Sequence, residues 1–177
     1  MIVAIVGTID EDDSPLPITG NGKTLGMVGY SYLDYLIGRE VWSNFWSDYS
    51  AKIIGFQSMI DLVKKSAETD EKKPNLILCV TEMRKILDAI GSSQEQVLYI
   101  DDFVEQIRKL DCTLYYDTQR FNSIHKRLRI HTNVILIPYK THMDKEETPC
   151  YLPACMKPHK IYIYSHKPEK DKPIKCF

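Results

Sequence analysis

Ile18-Thr19-Gly20-Asn21-Gly22-Lys23-Thr24 is the stretch on which the reading of the fold turns. It follows the apolar run Ile2 to Val6 and opens the segment Leu25 to Leu36, so strand, glycine loop, Lys-Thr pair and helix come in the order of a phosphate-binding loop of Walker A type. Glycines let backbone N–H groups turn toward an anion, and the start of a helix adds free N–H groups and a positive dipole end. In this reading Thr19, Gly20, Asn21, Gly22 and Leu25 form the cradle, Lys23 reaches a terminal phosphate, and Thr24 holds Mg²⁺ through its hydroxyl. The full pattern has a glycine five residues before Gly22, where this chain has Pro17. Gly7 stands where the strand hands over to the loop, and Thr8 to Pro17 reads as an insertion that lengthens it. Glu11, Asp12 and Asp13 would repel phosphate, so they are expected to project into solvent.

Working outward, Glu40 to Trp46 reads as a short strand running into a loop, with Asn44 set in an aromatic cluster at the edge of the core. Phe56, Met59, Ile60 and Val63 recur at helical spacing, and the charged run Glu68 to Lys73 closes that helix. Leu76 to Val80 is a buried-type strand followed directly by Thr81, Glu82, Met83 and Arg84. Met83 to Ile90 and Val97 to Leu110 read as helices, with Ser93 as a cap for the second. Cys112 to Tyr116 is a further strand, delivering Asp117, Thr118 and Gln119 at its end. Phe121 to Arg129 is polar and basic, and Asn133 to Pro138 is a fifth strand. Strands alternating with helices predict an α/β domain with a mostly parallel central sheet and helices on both faces. Ligands in such sheets bind at the carboxyl ends of strands, where Gly22, Glu82 and Gln119 all fall.

Residues 1–140 are read as the core and 141–177 as an extension, a long proline-containing loop, one alternating strand His159 to Ser165, and a Lys/Pro tail. The tail has too few apolar residues to offset its ordering entropy. At 177 residues the chain suits one domain, and its net charge of −1 gives no global attraction to nucleic acid, so any polyanion contact needs a local patch. No apolar run reaches membrane-spanning length and the N-terminus lacks a basic leader flank, so a cytoplasmic protein without a membrane segment is expected. Five cysteines at irregular spacing, one inside a strand, imply reduced thiols. Cys150, Cys155, His159 and Cys176 fit no compact zinc knuckle and read as ordinary loop residues.

Phosphoryl transfer to water needs a cradled phosphate, a held metal, an oriented water and a neutralised transition state. Lys23 and Thr24 suit the first two tasks, Glu82 is placed to polarise water, and Gln119 to sense the γ-phosphate. Arg127 or Arg129 would reach a neighbouring subunit's site. Each also has a plainer reading. Glu82 suits a helix N-terminus by its charge, Gln119 a strand end, and the run His125 to His131 a solvated face.

The Gly-Asn-Gly-Lys-Thr loop, Leu76 to Glu82, Ile107 to Phe121 and His125-Lys126-Arg127-Leu128-Arg129 together resemble the additional-strand P-loop ATPases of the HerA/FtsK group. Within that group the chain is most similar to zonular occludens toxin-like proteins and viral genome-packaging ATPases, over roughly residues 1–140. The resemblance implies a RecA-like P-loop NTPase core, ATP and Mg²⁺ at the loop, a homo-oligomeric ring, and translocation or packaging of double-stranded DNA. It also makes Thr81 and Glu82 the counterparts of the metal-supporting and catalytic acids, with Thr81 standing where the group has Asp. A threonine brings no negative charge, so metal affinity should fall. The alternative is a nucleotide-binding assembly switch with impaired hydrolysis, marked by Thr81 and Pro17.

Overall fold

The structure is a computed structural model and describes residues 1–8, 22–68, 76–88, 93–110, 112–142, 145–150 and 159–166. Its centre is the strand β1 (Ile2–Thr8), which leads through the loop to helix α1 (Lys23–Leu36). Strands β2 (Glu40–Ser43) and β3 (Lys52–Ile53) follow, then α2 (Phe56–Glu68), β4 (Leu76–Val80), α3 (Met83–Asp88) and α4 (Ser93–Lys109). The second half holds β5 (Thr113–Arg120), a 3₁₀ turn at Phe121–Ser123, α5 (Lys126–His131), β6 (Val134–His142), β7 (Lys145–Pro149) and β8 (His159–His166).

The strand order is β3-β2-β4-β5-β1-β6, all parallel, with β7 and β8 joining β6 antiparallel. Because Thr141 of β6 pairs with both Pro149 and Lys160, β7 and β8 lie on opposite edges of that strand. The predicted mostly parallel sheet is therefore present. Helices cover both faces, and the period-two alternation of the strands decides which residue meets which helix. Ile2, Ala4 and Val6 join Leu78, Val80, Leu114 and Tyr116 in a core closed by Met59 and Ile60 of α2, Phe103 and Ile107 of α4 and Leu128 of α5. Val3, Ile5, Ile77, Cys79 and Tyr115 face the other way, against Met27 of α1.

Several elements differ from the expectation. Helix α4 begins a turn early, with Ser93 inside it rather than capping it. Strand β5 continues through Arg120 instead of stopping at Tyr116, because register with β1 runs on from Ala4↔Tyr116 to Thr8↔Arg120. The basic stretch after it folds into α5, anchored by buried Leu128 and by His125, whose Nδ1 accepts from the Arg127 N–H at 3.3 Å. The proline-containing segment after Tyr139 includes β7, whose Lys-Glu-Glu-Thr-Pro sequence has little strand preference and is held by pairing to β6. Strand β3 is only two residues long, too short to leave a periodic signal. The acidic loop residues, the run Asp70 to Lys73 and the tail from Lys167 lie outside the described residues. Among the described residues Cys79, Cys112 and Cys150 are buried and outside any disulfide, and no helix is long and apolar enough to cross a membrane.

Leu114, fully buried near the start of β5, is the natural probe of this core. Leu114→Ala should lower the unfolding free energy by about 2–5 kcal/mol, read from the midpoint of urea denaturation at unchanged slope.

Candidate nucleotide site

Helix α1 lies over β5, and one face of β5 organises the site. Thr113, Tyr115, Asp117 and Gln119 alternate onto the side that carries α1. Near the helix C-terminus, Arg39 donates to Asp34 Oδ1 and to Thr113 Oγ1, both at 3.0 Å, and the Tyr115 hydroxyl donates to Asp34 Oδ2 at 2.9 Å. Tyr30 stacks on Tyr115 with ring centroids 6.4 Å apart. At the helix N-terminus the same strand face presents Asp117 and Gln119 to Lys23 and Thr24. The lower contacts thus fix the height at which the upper ones meet.

Gly22 precedes α1 with φ +83° and ψ +18°, a left-handed conformation that costs a glycine little, and its carbonyl accepts the first helical bond from Gly26 N–H at 2.7 Å. Thr19, Gly20 and Asn21 lie outside the described residues. Leu25 points outward, 60% exposed. Lys23 is buried, and its Nζ donates to Gln119 Oε1 at 2.9 Å. Burial holds the Lys23 pKa below the usual lysine value, with the Asp117 charge opposing. The Asp117 carboxyl is pushed above the usual carboxylate range, again chiefly by burial, against hydrogen bonds from the Glu82 N–H and the Thr24 hydroxyl and the attraction of Lys23. Both charges have lost much of their water, so each gains from an arriving partner of opposite sign.

Glu82 follows β4 at the same edge. Its φ is +55°, among the described residues the single non-glycine value of that sign. The turn is held from below: the Glu82 N–H donates to Asp117 Oδ1 at 2.6 Å. Asn44, beyond β2, clamps the preceding residue, accepting from Thr81 N–H at 2.8 Å and from the Thr81 hydroxyl at 3.2 Å and donating to the Thr81 carbonyl at 3.2 Å. The Glu82 carboxylate itself is exposed and accepts two bonds of 2.7 Å from Lys85. An acid placed at the sheet edge on a strained backbone and free to leave a solvated lysine is well suited to polarising water.

The structure brings Lys23, Thr24, Thr81, Glu82 and Gln119 together at the carboxyl edge of β1, β4 and β5. It does not bring the arginines to them. Arg127 and Arg129 sit on α5, whose Leu128 packs into the core on the face opposite α1. Arg127 is exposed with Asp101 3.8 Å away, and Arg129 is half-buried, donating to Asn122 at 2.9 Å. Two residues of the site carried weak sequence signals. Asp117 belongs to the alternating row Thr113, Tyr115, Asp117, Gln119, visible once the strand is extended, and the sequence around Asn44 reads more strongly as an aromatic cluster than as a polar site.

Sheet order, helix placement and the glycine-Lys-Thr turn define a RecA-like P-loop NTPase fold, with β5 as the strand inserted between the loop strand β1 and the glutamate strand β4. Among solved structures the chain is similar to the genome packaging NTPase B204 from Sulfolobus turreted icosahedral virus 2 in complex with ATP-gammaS, at 14% identity and TM-score 0.55 over 95% of this chain and 97% of that one. The same protein in complex with sulfate gives 16% identity and TM-score 0.54, covering 95% and 96%. B204, the DNA-packaging ATPase from Sulfolobus turreted icosahedral virus, gives 15% and 0.53, covering 95% and 97%. No protein-family model and no curated protein matches the chain in sequence. The likeness is one of fold.

Strain at Glu82 predicts a divergence between stability and function. Glu82→Gly should raise the unfolding free energy by about 1 kcal/mol, since relief of the left-handed backbone exceeds the added chain entropy, while removing the acid from the site. Denaturation of the nucleotide-free protein checks the sign.

Proposed function

We propose that the chain is an ATP-binding and hydrolysing motor-type ATPase of the HerA/FtsK division, acting in DNA translocation or packaging for a virus or plasmid. The observation that carries the reading is the convergence of Lys23, Thr24, Asp117, Gln119 and Glu82 from three adjacent parallel strands onto one edge. Lys23 and the α1 N-terminus would bind the β- and γ-phosphates, and Gln119 would pass from Lys23 to the γ-phosphate. Glu82, leaving Lys85, would take the proton of the attacking water. The donor set fits Mg²⁺: a hydroxyl at Thr24 and a buried carboxylate at Asp117 on the neighbouring strand are hard oxygen donors, and nucleotide phosphates and waters would fill the remaining positions. When bound, that ion supplies charge neutralisation at the phosphates.

A homo-oligomeric ring is part of the reading. Arg127 is exposed on α5, which packs on the face opposite α1, as a residue serving the next subunit should be. Helix α1 and its surroundings expose Leu33, Leu36, Ile37 and Trp46, each more than half accessible, an apolar patch suited to a head-to-tail contact with a second copy. Double-stranded DNA is the proposed substrate of the ring, residues 1–140 its engine and 141–177 an extension. The second reading, a nucleotide-dependent assembly switch, is favoured by one feature: Thr81 stands tied to Asn44 with no carboxylate at its position.

Steady-state ATP hydrolysis with Mg²⁺, with and without double-stranded DNA, separates the two, with Lys23→Ala as the blank. The motor predicts DNA-stimulated turnover, a loss of about 100-fold or more in Glu82→Gln with ATP binding retained, and a comparable loss in Arg127→Ala. Binding without turnover would support the switch, and absence of binding would overturn both.

A further inference from the structure

The proposed ATPase lacks an acid where the group places its metal-supporting aspartate, since Thr81 occupies that place. We infer that Asp117 supplies the missing carboxylate, from β5 rather than β4, and that the divalent cation bound with nucleotide depends on it and not on Thr81. This assignment rests on the nucleotide-site reading above.

Three observations carry it. Asp117 is 5% exposed in the middle of β5, just past the level at which β4 ends, and its Oδ1 accepts from the Glu82 N–H at 2.6 Å; the Thr24 hydroxyl, the group that would touch the cation, and Lys23 both lie near enough to favour its charged form. Register fixes the substitution: Val80↔Tyr116 is the last pair between β4 and β5, so Asp117 lies level with Thr81, one strand nearer to β1 and the glycine loop. Thr81 meanwhile has its N–H, hydroxyl hydrogen and carbonyl all engaged by Asn44. Glu82 is assigned above to the attacking water, and its exposed carboxylate accepts from Lys85. A carboxylate moved from one strand to its neighbour thus stands beside the Thr24 hydroxyl, positioned to accept from metal-bound water.

A rival explanation is that Asp117 only staples the strained Glu82 turn through its Oδ1. An amide oxygen accepts the same N–H, so Asp117→Asn keeps the staple and removes the charge. The test measures Mn²⁺ binding by electron paramagnetic resonance in the presence of ATP-gammaS, beside ATP-gammaS binding without metal. Asp117→Asn should weaken Mn²⁺ binding by about tenfold or more while leaving metal-free nucleotide binding within about twofold, and Thr81→Ala should change neither by more than about twofold. Thr81→Asp added to Asp117→Asn should recover most of the loss. In the otherwise unchanged chain Thr81→Asp should gain less than about threefold, a readout that holds even if Asp117→Asn folds poorly. Wild-type Mn²⁺ affinity in Asp117→Asn, or a tenfold gain from Thr81→Asp alone, overturns the assignment and leaves the nucleotide reading standing. A wild-type chain that binds no ATP-gammaS overturns the nucleotide reading itself.

Discussion

Contact between one face of β5 and the length of α1 is the constraint on which the rest of the site depends. The helix is tied at its far end through Asp34 to Arg39 and Tyr115, and at its near end through Lys23 and Thr24 to Asp117 and Gln119. Because strand side chains alternate strictly, the same register that stacks Tyr30 on Tyr115 also sets Asp117 beneath Thr24. A slip of one residue would turn Asp117 and Gln119 into the opposite core and bring Tyr116 and Thr118 under the helix.

That geometry concentrates charge where water is scarce. Lys23 and Asp117 are both buried, and each is held away from its ordinary pKa mainly by lost hydration. Charges held in this way contribute little to stability, and in the proposed nucleotide site they would favour an anion at the lysine and a cation at the aspartate. Glu82 adds backbone strain of the same character, kept in place by Asp117 below it and by Asn44 on the preceding residue. The site is therefore rigid in its backbone and adaptable in its side chains, since Lys23, Gln119 and Glu82 rest on partners they can exchange. Preorganised dipoles with exchangeable side chains are what phosphoryl transfer asks of a protein.

Placement of α1 on one face and α5 on the other gives the proposed ring its geometry. Lys23 begins the helix on one face of the sheet and Arg127 lies on the helix that packs on the other, and in the proposed ring head-to-tail subunits would bring such residues to one nucleotide. The apolar patch on α1 lies on the face such a contact would use.

Much of this was legible in the amino-acid sequence, and for local reasons. Strands β1, β4 and β6 are apolar runs, α1 and α2 carry helical spacing, and Gly22-Lys23-Thr24 announces itself because only glycine tolerates the backbone at that turn. The place of Lys23 and Thr24 at a helix start, and of Glu82 and Gln119 at or near strand ends, is legible for the same reason. Two-residue β3, the polar β7 and the six-residue α5 were not legible, because neighbouring strands and one buried leucine hold them rather than their own propensities. The meeting of Asp117 with Thr24, the left-handed turn at Glu82 and the clamp of Asn44 on Thr81 were decided by tertiary structure alone. They join residues 93, 35 and 37 positions apart, and which of them touch depends on strand order and register, which no local pattern encodes.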